Sequence, residues 1–125
     1  MGKPYILHPL RVMSNLGLDV TEVDRIVAVL HDTVEDTELT FEMLRDEGFT
    51  EEAITAVRLL TKVKGYNEDE YYRNILNNPT ARRVKIKDLE DNMDIRRMKN
   101  KLDLTDKDLQ RHANYVRRHH QLTGS

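Results

Sequence analysis

Five histidines, His8, His31, His112, His119 and His120, join the carboxylates as the candidate metal-ligating side chains, because the chain has no Cys. That lack excludes a disulfide frame, a thiol nucleophile and a thiolate metal site. His31-Asp32 is the most informative pair. It follows an apolar helical face directly, so both side chains should be only partly solvated. An imidazole and a carboxylate in that setting need partners, and a metal ion is one solution. Glu35 stands four residues after His31 and Asp36 four after Asp32. If the helix continues, each pair shares a face. The other reading is a His suited to a helix C-terminus, followed by the polar residues of a loop. Asp88, Asp91 and Asn92 form a second cluster. Asp88 and Asn92 are also four apart, with Val84 one turn before and Ile95 one turn after, which puts a carboxylate and an amide on an apolar stripe. Such groups need an ion, or they are paired with the neighbouring Lys85, Lys87, Arg96 and Arg97. No H-E-x-x-H, no G-x-x-x-x-G-K and no G-x-G-x-x-G occurs.

The elements that must position these residues read as helices nearly throughout. The first runs from about His8 to Leu16 and stops at Gly17. The second runs from Thr21 to His31 with Val23, Ile26, Val27 and Leu30 on one face, widened by Ala28 and Val29. A polar stretch, Asp32 to Thr40, follows. Thr40 caps Phe41 to Glu47, which Gly48 ends, and Thr50 caps Glu51 to about Lys62. Asn67 starts a helix to about Asn77, in which Tyr71 and Tyr72, like Tyr66 before it, read as packing residues. Asn78-Pro79 supplies N-cap and first helical residue for a helix to about Met98. Thr105 caps the last helix, which ends near His120 in a frayed basic end, and Thr123 to Ser125 read as a disordered tail. No repeat, low-complexity tract or linker interrupts the chain, and a single all-α domain over residues 1–125 is expected.

Composition narrows the function classes. The 20 Lys and Arg against 22 Asp and Glu give a formal charge of −2. The chain lacks the basic excess of a non-specific nucleic-acid binder. The longest apolar run, Ile26 to Leu30, has five residues, against roughly 20 for a membrane span. Met1-Gly2-Lys3-Pro4 leads at once into patterned sequence, which predicts no signal peptide. Neither nucleic acid nor membrane is an expected partner.

Four segments together resemble a known family. Pro4-Tyr5-Ile6-Leu7-His8-Pro9-Leu10 is similar to its PYI-x-HP segment. Ala28-Val29-Leu30-His31-Asp32-Thr33-Val34-Glu35-Asp36-Thr37 is similar to its A-x-LHDxVEDT signature. Leu60-Thr61-Lys62 matches a smaller landmark, and Val84-Lys85-Ile86-Lys87-Asp88-Leu89-Glu90-Asp91-Asn92-Met93 is similar to VKLAD-x-x-x-NM. The family is the HD-domain phosphohydrolase superfamily, and within it the hydrolase domain of RelA/SpoT proteins and small stand-alone (p)ppGpp hydrolases. The resemblance implies an all-α helical bundle around one divalent ion, Mn²⁺ first, with Fe, Zn, Co or Ni as alternatives. By motif, the ligands are His8, His31, Asp32 and Asp88. Mixed imidazole and carboxylate donors suit such ions better than Ca²⁺ or Mg²⁺. Glu35 and Asp36 inherit the positioning or deprotonation of the attacking water. Asn92 inherits a place near the substrate ribose and phosphate, and Lys3 and Tyr5 join it as substrate-binding residues. The implied reaction removes the 3′-pyrophosphate of (p)ppGpp in the cytoplasm.

This sequence departs from the family pattern at several points. The family carries a helix and a basic loop before PYI-x-HP, and only Lys3 stands for that loop here. Lys87 replaces a small residue before Asp88. Asp91 stands where His or Tyr is usual, and Asp94 where Arg is common, which makes the pocket more acidic toward an anionic substrate. Tyr5, Ile6, Leu10 and Met13 are therefore expected to expose apolar surface. Either a homo-oligomer uses that surface or the last helix, through Leu109, Val116 and Leu122, folds across it. Two alternatives to (p)ppGpp hydrolysis stay open. One is a phosphohydrolase of another nucleotide, and the other is an impaired HD domain that binds a nucleotide or protein.

Overall fold

The computed structural model describes residues 20–93 and 105–124, and every element in them is an α-helix. No strand occurs among the described residues, so the fold is all-α. The expected first helix, its stop at Gly17, and Lys3, Tyr5, His8 and Ile95 lie outside them, as does the expected helix end at Met98. The chain divides inside one helix, between Val84 and Lys85, into two compact units. Each is described by itself.

In the first unit α1 spans Val20–Asp36. Ile26, Val27 and Leu30 are buried on one face, as the spacing predicts, whereas Val29 is exposed and does not widen the stripe. The helix does not stop at His31. It continues five residues through Asp32 and Glu35 to Asp36, because a polar run is compatible with a helix when its side chains face water. Two threonines end it. Thr33 Oγ1 donates to the Val29 carbonyl at 2.8 Å, and Thr37 Oγ1 donates to the Thr33 carbonyl at 2.6 Å. Thr37 Oγ1 also accepts the Leu39 N–H at 3.1 Å, offering the backbone a turn in place of a further helical bond. Leu39 then enters the core.

Thr40 caps α2, Phe41–Asp46, by accepting the Met43 N–H at 3.2 Å. The exit is a Schellman motif. Gly48, at φ 97°, lets its own N–H reach the Arg45 carbonyl and the Phe49 N–H reach that of Leu44. Leu44 and Phe49 are both buried. Thr50 caps α3, Glu51–Leu60, through the Ala53 N–H. This helix contacts α1, α2 and the following helix, and it buries Ala53, Ile54, Ala56, Val57 and Leu60. It ends two residues before the expected Lys62, because Thr61 turns extended at ψ 124°. Asn67 caps α4, Glu68–Leu76. Tyr71 and Tyr72 pack inside as expected, while Tyr66 is 38% exposed and meets Tyr71 edge to face. Asn78 caps α5, Pro79–Met93, through the Ala81 N–H. The first turns of α5 bury Thr80, Ala81 and Val84. Arg83 holds the buried Asp24 of α1 through two bonds, at 2.9 and 3.3 Å.

The second unit contains the rest of α5 and α6, Asp106–Thr123. Thr105 and Asp108 form a reciprocal capping box. His112 Nε2 lies 3.3 Å from the Met93 carbonyl, and His119 Nε2 lies 3.0 Å from Glu90 Oε2. The expected fraying near His120 is corrected: the helix runs three residues further, and Arg118 and Leu122 are buried. Gly124, read as tail, is a C-cap at φ 75° whose N–H reaches the His120 carbonyl at 2.8 Å. Leu109, proposed as part of a covering face, is 51% exposed. Among the described residues no helix is long and apolar enough to cross a membrane.

Candidate active site

The extension of α1 brings the first cluster together. His31 and Glu35 fall on one face, and His31 Nε2 lies 3.2 Å from Glu35 Oε1. The other ring nitrogen, Nδ1, lies 3.3 Å from Asp32 Oδ1. The imidazole is nearly buried, with 13% of its side chain exposed, while Asp32 is open at 74%. Glu35 sits between these extremes at 28%, and Asp36 is exposed at the last residue of the helix.

A second element fixes Glu35. The backbone N–H of Lys62, in the turn after α3, donates to Glu35 Oε1 at 2.9 Å across 27 residues of sequence. One carboxylate oxygen therefore takes two nitrogen partners, one from its own helix and one from the segment after α3. The Lys62 turn is itself held. Thr61 Oγ1 donates to the Val57 carbonyl at 2.7 Å, and the buried Tyr71 hydroxyl donates to the Leu60 carbonyl at 2.7 Å. Sequence reasoning missed this contact, because a main-chain donor carries no residue signature; only the Leu60-Thr61-Lys62 landmark pointed to the segment.

In the second unit Asp88 is 45% exposed, which agrees with the reading as a paired stripe and not with a carboxylate inside the core. Within this unit the buried positions of α5 are Lys85 and Leu89. Lys85 is 4% exposed, and its Nζ lies 3.1 Å from Asp88 Oδ2. Asn92 Nδ2 lies 3.5 Å from Asp88 Oδ1. Lys87 and Asp91 are exposed. The sequence contained the signal for the Lys85 pair in its three-residue spacing, but not for the burial of the lysine.

Among the described residues, no three or more His, Asp or Glu side chains close on one point in the manner of a metal site. The donors of α1 nevertheless suit a divalent first-row ion. They are nitrogen and oxygen without thiolate. The last turn of α1 also holds Glu35 and Asp36 with no basic residue, so two carboxylates meet the negative end of the helix dipole. That placement works against helix stability, and a bound cation would relieve it.

Comparison with known proteins gives the same direction. No family model matches the chain. It is 37% identical over 101 residues to a guanosine-3′,5′-bis(diphosphate) 3′-pyrophosphohydrolase of Aquifex aeolicus, covering 74% of this chain and 14% of that protein. It is 40% identical over 73 residues to the guanosine-3′,5′-bis(diphosphate) 3′-pyrophosphohydrolase MESH1 of Danio rerio, covering 55% of this chain and 36% of the relative. A GTP pyrophosphokinase of Myxococcus xanthus is 40% identical over 67 residues, 53% of this chain and 9% of that protein. The chain belongs to the RelA/SpoT HD-domain family. It spans about a third of the Danio relative's length and a far smaller share of the other two.

Proposed function

We propose that residues 1–125 form one HD-type hydrolase domain of the cytoplasm, a metal-dependent nucleotide phosphohydrolase whose substrate is (p)ppGpp. The reading is supported above all by Glu35, whose carboxylate is fixed by the Lys62 N–H beside the His31-Asp32 pair. The names of the two pyrophosphohydrolase relatives give it a substrate. His8, His31, Asp32 and Asp88 are the proposed ligands of one divalent ion, Mn²⁺ first. When bound, the ion supplies Lewis-acid charge at the reacting phosphoryl group. Glu35 takes a proton from the attacking water, with Asp36 beside it on the same helix end. Water oxygen bonds to phosphorus, the bond to the ribose 3′-oxygen breaks, and that oxygen receives a proton. GDP, or GTP from the pentaphosphate, leaves with pyrophosphate. Asn92, Lys3 and Tyr5 hold the nucleotide. A homo-oligomer through the apolar residues of the first segment is the proposed protein partnership.

The test combines metal analysis of the purified protein with pyrophosphate release from ppGpp and a panel of other nucleotides in Mn²⁺. The expected result is about one ion per chain and release from ppGpp that chelation abolishes. Faster turnover of another nucleotide would replace the substrate. A protein without metal or turnover that still binds nucleotide would replace the enzyme reading with a binding module.

A further inference from the structure

Tyr71 lies 36 residues beyond Glu35 in sequence, on a different helix, and no part of the reaction just described uses it. Its side chain is buried, with 7% exposed, yet it carries a hydroxyl. A buried hydroxyl is retained at low cost only when it is bonded, and this one donates to the carbonyl of Leu60 at 2.7 Å. Leu60 is the last residue of α3, where carbonyls lack helical partners. Directly after it, Thr61 leaves the helix and Lys62 presents its N–H to Glu35. The peptide groups of residues 60, 61 and 62 are covalently consecutive and nearly rigid units. Fixing the Leu60 carbonyl from one side therefore restricts the direction of the Lys62 N–H on the other. Thr61 Oγ1 bonds back to the Val57 carbonyl and restricts the same turn from the helix side.

We propose that Tyr71 is a positioning residue for Glu35, setting the carboxylate through the Leu60–Lys62 turn. The proposal rests on the reading of Glu35 as the group that takes the proton from water. It assigns to the Tyr71 hydroxyl, and not to its ring, a part in turnover without contact to substrate.

Tyr71→Phe keeps the ring and removes only the hydroxyl. Amide hydrogen exchange at Lys62 reads the turn directly and needs no substrate. In Tyr71→Phe that exchange should rise roughly tenfold, the scale of one lost hydrogen bond, while Tyr66→Phe leaves it unchanged. kcat for nucleotide hydrolysis should fall with KM and bound metal unchanged, since a misaligned base affects the transition state and not binding. Unchanged Lys62 exchange in a folded Tyr71→Phe protein overturns the proposal, whatever happens to the rate. Raised exchange with unaltered kcat overturns it equally. If Tyr71→Phe fails to fold, Thr61→Val tests the same turn from its other anchor, and unchanged Lys62 exchange there overturns the proposal. Glu35→Gln separates the two levels. Intact turnover in Glu35→Gln removes the catalytic reading of Glu35, whereas the Lys62 exchange still decides whether Tyr71 sets the turn.

Discussion

At the scale of single residues, Glu35 concentrates the chemistry of the first unit. Its Oε1 is bonded both within its helix, to His31, and from another element, by the Lys62 N–H. Replacing it by Gln preserves shape and hydrogen bonding but removes the proton acceptor. We expect Glu35→Gln to keep bound metal and to lose roughly 10²–10⁴ in rate, the range for a general acid–base residue. Metal analysis with steady-state hydrolysis checks this; loss of the ion would instead make Glu35 a ligand. The His31 to Glu35 pair was legible in the sequence, because a spacing of four on a helix is a contact by geometry alone. The Lys62 contact was not, since it depends on how α3 lies against α1. Lys85 illustrates the same limit. Its spacing to Asp88 is visible in the sequence, but a lysine with 4% exposure is not what its residue type suggests.

Helix starts were far easier to read than helix ends. Thr40, Thr50, Asn67 and Thr105 all cap where expected, because a cap is made by one side chain and a backbone N–H three residues on. The ends were set by bonds that composition does not show, as Thr33 and Thr37 do for α1 and Gly124 for α6. Charge also acts at this scale. Arg45 of α2 grips Glu51 at the start of α3 through two guanidinium nitrogens, Nε and Nη2, the second bond measuring 3.2 Å. The hydrogen bond from Arg45 holds the Glu51 carboxyl below its ordinary value of 4.5, and the Arg45 and Arg58 charges reinforce it. Arg45 is pushed upward by the same partner. A carboxyl with a lowered folded-state value stabilises the fold above its unfolded value and loses that effect as pH falls through the folded one. Glu51→Gln should therefore lower Tm slightly at pH 7, with the difference shrinking through the acid range below about pH 4.5. Both side chains are well exposed, so 1 M salt should shrink it too. A Tm difference that persisted unchanged into acid would place the effect elsewhere.

At the scale of the molecule, the first unit is closed by a contact between residues 59 apart. Asp24 is 5% exposed and depends on Arg83 for its charge partner. Arg83→Met leaves a carboxylate inside with only partial access to water. We expect a loss of about 1–3 kcal/mol in urea unfolding, the cost of an unsatisfied buried group. The value should fall toward the lower end, because Arg83 itself is 40% exposed and surface pairs are worth less. Asp24→Asn combined with Arg83→Met should recover part of the loss, and strict additivity of the two changes would mean that the pair does not interact. The same dependence on distant packing has a bearing on which substitutions relatives of this chain can carry. The donor that holds Glu35 is the main chain of Lys62. Nineteen of the twenty amino acids supply that N–H, and only proline lacks it. For this contact, position 62 is therefore constrained by exclusion and not by identity. A survey of conserved side chains would pass over a contact that the backbone transmits through almost any substitution.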